Sequence, residues 1–309
     1  MLPIPMICAE GRFARPGLAD LAAPLAPCQG YNPTSLQSVR ILRSETVLRD
    51  VPVLYKPGAV FVLRGRKQGL LDGEVYRYDE EHYLAVSVPV PFRMQSEASP
   101  ENPLIAVYVE FDMAMVAEIV AIIAEGRSGF DRAKVRSLAS SRMTPDIADV
   151  LQRLLRALLD PLDAAVLGAD ILRELHYRVL LGPQGAAMIS ALQQLGTSGR
   201  LIQSIMRLRD SYGSNITVTA LASEAGMSVP SYHVHFKALT GSSPMQYVKS
   251  VRLHEARLMI ARQGQSIAEV AASVGYASPA QFSRDFKRHF QRTASEEAKW
   301  VRRHLGEFI

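Results

Sequence analysis

Residues 219–237 read TALASEAGMSVPSYHVHFK, and residues 267–287 read IAEVAASVGYASPAQFSRDFK. They are one pattern used twice. Ala222 and Gly226 correspond to Ala271 and Gly275 at an offset of 49. After the glycine the second copy gains one residue, so Ser228, Tyr232, Phe236 and Lys237 correspond to Ser278, Phe282, Phe286 and Lys287 at an offset of 50. An alanine, a turn glycine four residues on, and then a capped helix with aromatics four apart is the sequence form of a helix-turn-helix.

Thr217 caps the first short helix of the first copy, and Gly226 ends it. On the reading helix that follows, Val229, Tyr232, Phe236 and Leu239 share one face and point to a core. Pro230, His233, Val234 and Lys237 point away. In the second copy Phe282, Phe286 and Phe290 are inward, and Ala280, Ser283, Arg284 and Lys287 are outward. Ser278-Pro-Ala-Gln281 reads as a capping box with proline at the first helical position. Ser243-Pro-Met-Gln246 is another such box, opening a helix that runs to about Arg262. Tyr247, Val248, Val251, Leu258 and Met259 lie within about a third of its circumference, by the 3.6-residue period. That helix is roughly 28 Å long at 1.5 Å per residue, near the ~34 Å between successive major-groove faces of B-DNA. A stiff rod of this length can hold two reading helices one DNA turn apart.

The outward residue types suit DNA. Arg284 can contact guanine O6 and N7 bidentately, and His233 and Ser283 can donate or accept at base edges. Pro230, Val234 and Ala280 offer apolar contact, for example to a thymine methyl. Lys237, Lys287 and Arg288 suit phosphates, which set position rather than sequence. A lone Arg or His on a helix is ordinarily just solvated; the doubled, capped context is what favours the nucleic acid.

Charge agrees. The chain of 309 residues has a net charge of +5, but from Arg200 onward there are 15 Lys and Arg against 8 Asp and Glu. The remainder is slightly acidic, so a basic C-terminal third sits on a neutral-to-acidic body, as expected for a polyanionic partner. Cys8 and Cys28 are too few for a disulfide framework or a metal set. The apolar run Leu2–Ile7 is too short for a leader, and no segment approaches the roughly 20 apolar residues of a membrane span. These readings point to a soluble, cytoplasmic protein with no membrane partner.

The N-terminal part reads differently. Residues 1–34, rich in Pro, Gly and Ala, are expected to be a loosely structured arm. Short β-branched and aromatic runs follow at Val51–Tyr55, Val60–Leu63, Glu74–Tyr78, Tyr83–Val88 and Leu104–Phe111, separated by turn residues. This spacing predicts an antiparallel sandwich or barrel, with Asp72-Gly73 as its best hairpin signal. After Asp112 the period becomes helical. Thr144-Pro145 starts a helix whose Ile147, Val150, Leu151, Leu154, Leu155, Leu158 and Leu159 form a wide stripe, to be buried on the chain's own sheet, against a second copy, or both. Further helices are expected over Ala169–Leu180 and Gln184–Leu195, then a Gly-Thr-Ser-Gly linker at 196–199.

Residues 201–293 resemble the DNA-binding domain of the AraC/XylS family of bacterial transcription regulators. The resemblance is carried by both copies of the repeat, by Ser243-PMQYVKSVRLHEARLMI-Ala261 between them, and by the continuation to Phe290. Two departures stand out. Val234 occupies a position where the family usually has Arg, which implies a first half-site read weakly or by shape. The usual Phe-Gly-x-Thr-Pro-Ser-Glu-Tyr ending here reads Phe290-Gln-Arg-Thr-Ala-Ser-Glu-Glu297, which implies a different final turn. Residues of about 30–190 resemble the cupin-like sensor of one AraC subgroup, through Val39-RILRSE, VLYKPGAVFVLRGRKQ, Tyr76-RYDEEHYLAVSVPVP, Ala98-SPENP and Leu181-GPQG. Together the resemblances imply an α+β chain: an arm at 1–34, a cupin-like antiparallel β-barrel with helices at 35–195, and an all-α DNA-binding domain at 196–309. They imply an activator acting on promoter DNA and RNA polymerase, dimeric, with a small-molecule effector.

No catalytic constellation is present. His82 stands alone in the sheet region, His233 and His235 diverge on their helix, and no phosphate-binding loop occurs. Neither enzyme chemistry, a metal nor a cofactor is expected. For the effector, the unusual feature is cation density: Arg40 and Arg43, then Arg64, Arg66 and Lys67. Strand alternation puts Arg64 and Arg66 on one face, and with Arg40 and Arg43 nearby they would form an anion clamp. Cyclic di-GMP is the leading candidate, since PilZ-type receptors bind it with clustered arginines, although the PilZ motif itself is absent. The alternatives are a solvated basic strand paired with Glu45, Glu74 and Asp79, a neutral sugar or aromatic ligand, or a constitutive DNA-binding protein whose N-terminal domain only dimerises.

Overall fold

A computed structural model describes residues 17–126, 136–182, 185, 196–214, 217–262 and 265–303. The β-rich half forms two fully antiparallel sheets. The larger holds, in order, β1 (Gly30–Pro33), β2 (Val39–Ser44), β9 (Leu104–Glu110), β4 (Gly58–Arg64), β7 (His82–Val86) and β10 (Leu138–Arg142). The smaller holds β3 (Leu48–Leu54), β8 (Pro91–Glu97), β5 (Arg66–Leu71) and β6 (Glu74–Tyr78). The expected barrel is therefore not closed; it is a two-sheet sandwich. Gly65 supplies the crossing: with φ at 86° it lets the chain leave β4 in one sheet and enter β5 in the other. Asp72 and Gly73 both have positive φ, as the two-residue turn between β5 and β6 requires.

β4 and β9 are buried on both faces. One face meets the smaller sheet, and the other meets the helices α2 (Met113–Gly126), α3 (Pro145–Leu158) and α4 (Pro161–Leu180). Such two-sided burial is why these strands are continuous apolar runs instead of alternating ones. Thr144 caps α3 by accepting from the Ile147 amide. The α3 stripe from Ile147 to Leu158 is buried within the chain, leaving only Leu159 exposed. α4 starts eight residues earlier than its periodicity suggests. The reason is Asp160-Pro161: the Asp160 carboxylate accepts from the Leu162 and Asp163 amides, and proline takes the first helical position.

The arm prediction is corrected for residues 18–33. Helix α1 (Leu18–Ala22) buries Leu21 and Ala22 in the helix-side core, and β1 pairs with β2 in register Gly30↔Arg43. Small apolar residues without periodicity can still fill a core edge. The Gly-Thr-Ser-Gly segment is the first turn of α5 (Gly196–Asp210) rather than a linker, since small polar residues and glycine suit helix starts. The helix expected over 184–195 lies, but for 185, outside the described residues.

The C-terminal helices follow as α6 (Val218–Glu224), α7 (Val229–Thr240), α8 (Pro244–Arg262), α9 (Ile267–Ser273), α10 (Pro279–Phe290) and α11 (Ala294–Arg303). Ser243 and Gln246 form a reciprocal box at the start of α8, and Ser266 with Glu269 does so for α9. At α10 only half of the expected box forms, with Ser278 accepting from the Gln281 amide. The altered ending still turns: Gln291 adopts φ 59°, and Thr293 and Glu296 cap α11.

One hydrophobic core runs through both halves. Tyr78, Leu84, Val88, Val90 and Phe92 of the sandwich belong to the same buried cluster as Ile202, Tyr232, Phe236 and Tyr247 of the helical region. A second, separate cluster holds Leu253, Val270, Phe282, Phe286 and Phe290. The division expected at 196 is not a division of the core.

Candidate nucleic-acid interface and effector region

The two turns preceding the reading helices α7 and α10 are built alike. Gly226 and Gly275 have φ of 66° and 86°, in the region that favours glycine. Each turn is covered by an arginine from an earlier helix: Arg200 donates to the Ala225 carbonyl at 3.0 Å, and Arg252 donates to that of Gly275 at 2.8 Å. A side chain at either glycine would press on that guanidinium. This paired clamp escaped the sequence reading because Arg200 and Arg252 lie outside the repeated text.

The inward faces are as expected. Phe236 packs between Tyr232 and Tyr247, each 5.5 Å away by ring centroid. The Tyr232 hydroxyl is 2.8 Å from Ser204 Oγ, and burial pushes its pKa up to about 12. Phe282, Phe286 and Phe290 stack at 5.4 and 4.6 Å. Outward, Pro230, Val234 and Lys237 are exposed and His233 is half-buried, while Ala280, Ser283, Arg284, Lys287 and Arg288 are all exposed. Val234, at 67% exposure, is an apolar side chain held in solvent at the middle of a reading face. Ser283 Oγ donates back to the Pro279 carbonyl. Arg288 pairs at 2.6 Å with Asp285, which also takes Lys249 at 2.8 Å.

α8 is buried along two sides rather than within a third of its circumference. Tyr247, Val248 and Val251 meet the first core, and Leu253, Ala256 and Ile260 the second. The reading head also rests on the sandwich. The Tyr247 hydroxyl donates to the Pro89 carbonyl at 2.6 Å, Ser137 Oγ to that of Leu239, and Arg257 to that of Pro52 at 3.5 Å. Arg257 is ion-paired at 2.6 Å with the fully buried Glu297. His254 and His289 face each other with Nε2 atoms 3.4 Å apart. Burial drives both pKa values down, His289 to about 4; Arg93 and Arg257 add to the effect on both, and His289 itself lowers His254.

The proposed effector cations do not converge. Because the chain changes sheet at Gly65, Arg64 and Arg66 are not on one face: Arg64 ends β4 and pairs with Asp20 at 3.1 Å, while Arg66 begins β5 and pairs with Glu97 at 3.3 Å. Arg43 pairs with Glu45 at 2.9 Å; Arg40 pairs with Glu110 at 3.3 Å and lies over the Tyr108 ring. The same crossing turns Lys67 inward, to 1% exposure. Its amine lies 3.3 Å from the Tyr55 hydroxyl and about 6 Å from the ring centres of both Tyr55 and Tyr78. Tyr31 and Tyr108 complete an aromatic cluster around Tyr55. Burial raises the pKa of all four tyrosines, so they remain protonated. The Tyr78 hydroxyl and Ser96 Oγ are buried without a hydrogen-bond partner. Alternation counted from Arg64 missed this cluster because the glycine resets it. Among the described residues no three His, Cys, Asp or Glu side chains are placed to hold a metal, and no helix is long and apolar enough to cross a membrane.

Residues 35–187 match the family model of the AraC-type transcriptional regulator N-terminus, and residues 221–299 match that of a helix-turn-helix domain. The chain belongs to the AraC family of transcription regulators. The chain is 35% identical over 104 residues to the RCS-specific transcriptional activator RclR of Escherichia coli, covering 34% of this chain and 36% of that protein. Over 168 residues it is 26% identical to the virulence regulon activator VirF of Yersinia enterocolitica, covering 54% and 61% respectively. The chain thus spans about a third to three-fifths of these two AraC-family relatives. The structure of ToxT from Vibrio cholerae with a bound unsaturated fatty acid has the same fold, with a TM-score of 0.56 at 12% identity, over 84% of this chain and 93% of that one.

Proposed function

We propose that this AraC-family chain is a soluble, cytoplasmic, sequence-specific transcriptional activator that grips two successive major grooves of promoter DNA and recruits RNA polymerase under control of a small effector. The observation that carries the reading is the pair of serine-capped helices, each burying its aromatic face and leaving the opposite face exposed, on either side of the 19-residue α8. Pro230, His233, Val234 and Lys237 would meet one half-site; Ala280, Ser283, Arg284, Lys287 and Arg288 would meet the other. The test is footprinting on the chain's own upstream regions. Two protected patches about one helical turn apart support the reading, whereas one patch, or uniform coating, would count against it.

The effector reading moves from the arginines to the sandwich interior. Each of Arg40, Arg43, Arg64 and Arg66 already has a carboxylate, which removes the geometric support for cyclic di-GMP. Lys67 among tyrosines favours a ligand with an aromatic or acyl body and an acidic end, and the fatty acid in ToxT makes carboxylic acids the natural probes. Thermal shift with oleate, a small aromatic acid and cyclic di-GMP separates these chemistries, with Lys67→Met as the control. No shift with any of them returns the chain to the constitutive alternative.

Self-association is part of the proposal. The apolar stripe of α3 is buried inside the chain, so the surface proposed here is another one. Support lies on α4, whose outward Leu162 and Val166 are 71% and 64% exposed, beside the exposed Leu159. Val166→Glu should turn a dimer into a monomer in sedimentation without loss of folded structure.

A further inference from the structure

A polar cleft of about 160 Å³ opens where the smaller sheet meets the reading head. Its polar lining is Arg93 from β8, Lys249 and Ser250 from α8, and Asp285, Arg288 and His289 from α10. Three cations from three elements thus face one carboxylate. Asp285 is shared between Lys249 and Arg288, and Arg93 is paired with the exposed Asp50. Three cations against two carboxylates, Asp285 and Asp50, leave a net charge of +1 at the cleft. Of the lining cations, Arg93 lies close enough to lower the pKa of His289, after burial and together with Arg257 outside the cleft.

We propose that this cleft binds a compact oxyanion, a phosphate- or carboxylate-bearing ligand of a few heavy atoms, between Arg93 of the sensor sheet and Lys249 and Arg288 of the reading head. The size follows from the space. Water occupies about 30 Å³ per molecule in the liquid, so the cleft holds a handful of waters or one small anionic group. Guanidinium and ammonium groups lining one cleft can give an oxyanion charge-assisted hydrogen bonds, which are the strong ones. The Lys249–Asp285–Arg288 arrangement holds two of the cations in place before the ligand arrives.

The position gives binding a consequence. An anion touching both β8 and α10 gains its full set of contacts only while the second reading helix rests against the sheet. It therefore stabilises that arrangement by its differential affinity. Promoter DNA that prefers or resists this arrangement must shift the affinity for the anion by the same factor. This site is separate from the tyrosine-lined interior and does not depend on what binds there.

The test uses the full chain. Wild type, Arg93→Gln and Lys249→Met are titrated with inorganic phosphate and with succinate, each against sodium chloride at matched ionic strength, following the melting temperature. Promoter binding and circular dichroism are recorded on the same samples. The expected result is a rise in melting temperature with at least one oxyanion beyond that with chloride, and an affinity about tenfold weaker or worse in both variants. No rise beyond chloride, or an equal rise in Arg93→Gln, overturns the proposal. So does a third result, in which free anions do nothing but Arg93→Gln lowers the salt dependence of promoter binding by about one ion: the cations would then serve the DNA backbone. Loss of promoter binding in the wild type would instead strike the regulator reading and leave the anion titration standing.

Discussion

The two reading helices have the same length and the same kind of serine cap, yet they are anchored by different chemistry. The first is held by apolar packing continuous with the sandwich: Tyr232, Phe236 and Tyr247 share a core with Tyr78 and Phe92. The second has its own small aromatic core and meets the sandwich through polar groups, Arg93, His289 and Arg257 with the Pro52 carbonyl. An apolar junction is non-directional and hard to modulate, whereas a polar one depends on charge, protons and ligands. The reading faces divide likewise. The first presents Pro230, His233 and Val234, and the second presents Ser283, Arg284 and Lys287. The fixed anchor carries the apolar reader, and the adjustable one carries the charged reader.

The largest effect should come from cutting the shared core. Phe236→Ala removes a fully buried ring, at a cost of about 3–5 kcal/mol. Because its neighbours belong to the sandwich, amide exchange should speed up in α7 and in β7 and β8 together. Phe286→Ala has a similar local cost but should leave the sheets protected. If Phe236→Ala speeds exchange only in the helices, the two halves are not one cooperative unit and the comparison fails at its root.

Acid should act on the second anchor first. His254 and His289 have pKa values depressed in the folded state, chiefly by burial, then by His289 in the case of His254, and by Arg93 and Arg257 in both, with no carboxylate among the groups that shift them. A depressed histidine binds fewer protons folded than unfolded, so its contribution is intact above about pH 6.5, the unfolded value. It is lost progressively as pH falls from 6.5 towards the folded value of about 4. Between pH 7.5 and 5.5, protection of α10 should therefore fall before that of α7, whose reading motif contains no buried histidine pair. His289→Gln should flatten the dependence. Equal loss in both motifs at pH 5.5 would show that carboxylates elsewhere govern acid sensitivity.

The reading head was legible in the sequence because it repeats: caps, turn glycines and aromatic spacing, seen twice, leave few alternatives. The sandwich was legible as strands but not as topology. One glycine, Gly65, sends neighbouring residues into different sheets, and strand alternation carries no sign of such a crossing. That single error placed Arg64 beside Arg66 and hid Lys67 among the tyrosines. The early part of α4 was overlooked for a smaller reason, since its exposed Leu162 and Val166 break the amphipathic period that marks a helix. The cleft at Arg93 was illegible in principle, being assembled from β8, α8 and α10 across nearly two hundred residues of chain.

The smallest effects test the reading faces themselves. Arg284→Ala should cost about 1–3 kcal/mol of discrimination at one base pair of the second half-site, measured by competition between single-base variants. A uniform loss across all sequences, with a shallower salt slope, would mean that Arg284 meets phosphate instead. Val234→Ala should have a fainter and more particular signature. If Val234 packs on a thymine methyl, replacing that thymine with uracil removes one buried methyl, worth about 0.8 kcal/mol. The alanine variant should then bind the thymine and uracil sites equally, because the contact that told them apart is gone from both. A thymine preference that survives Val234→Ala would mean that the first half-site is read by the shape of its DNA, and that the exposed valine stands in the groove without touching a base.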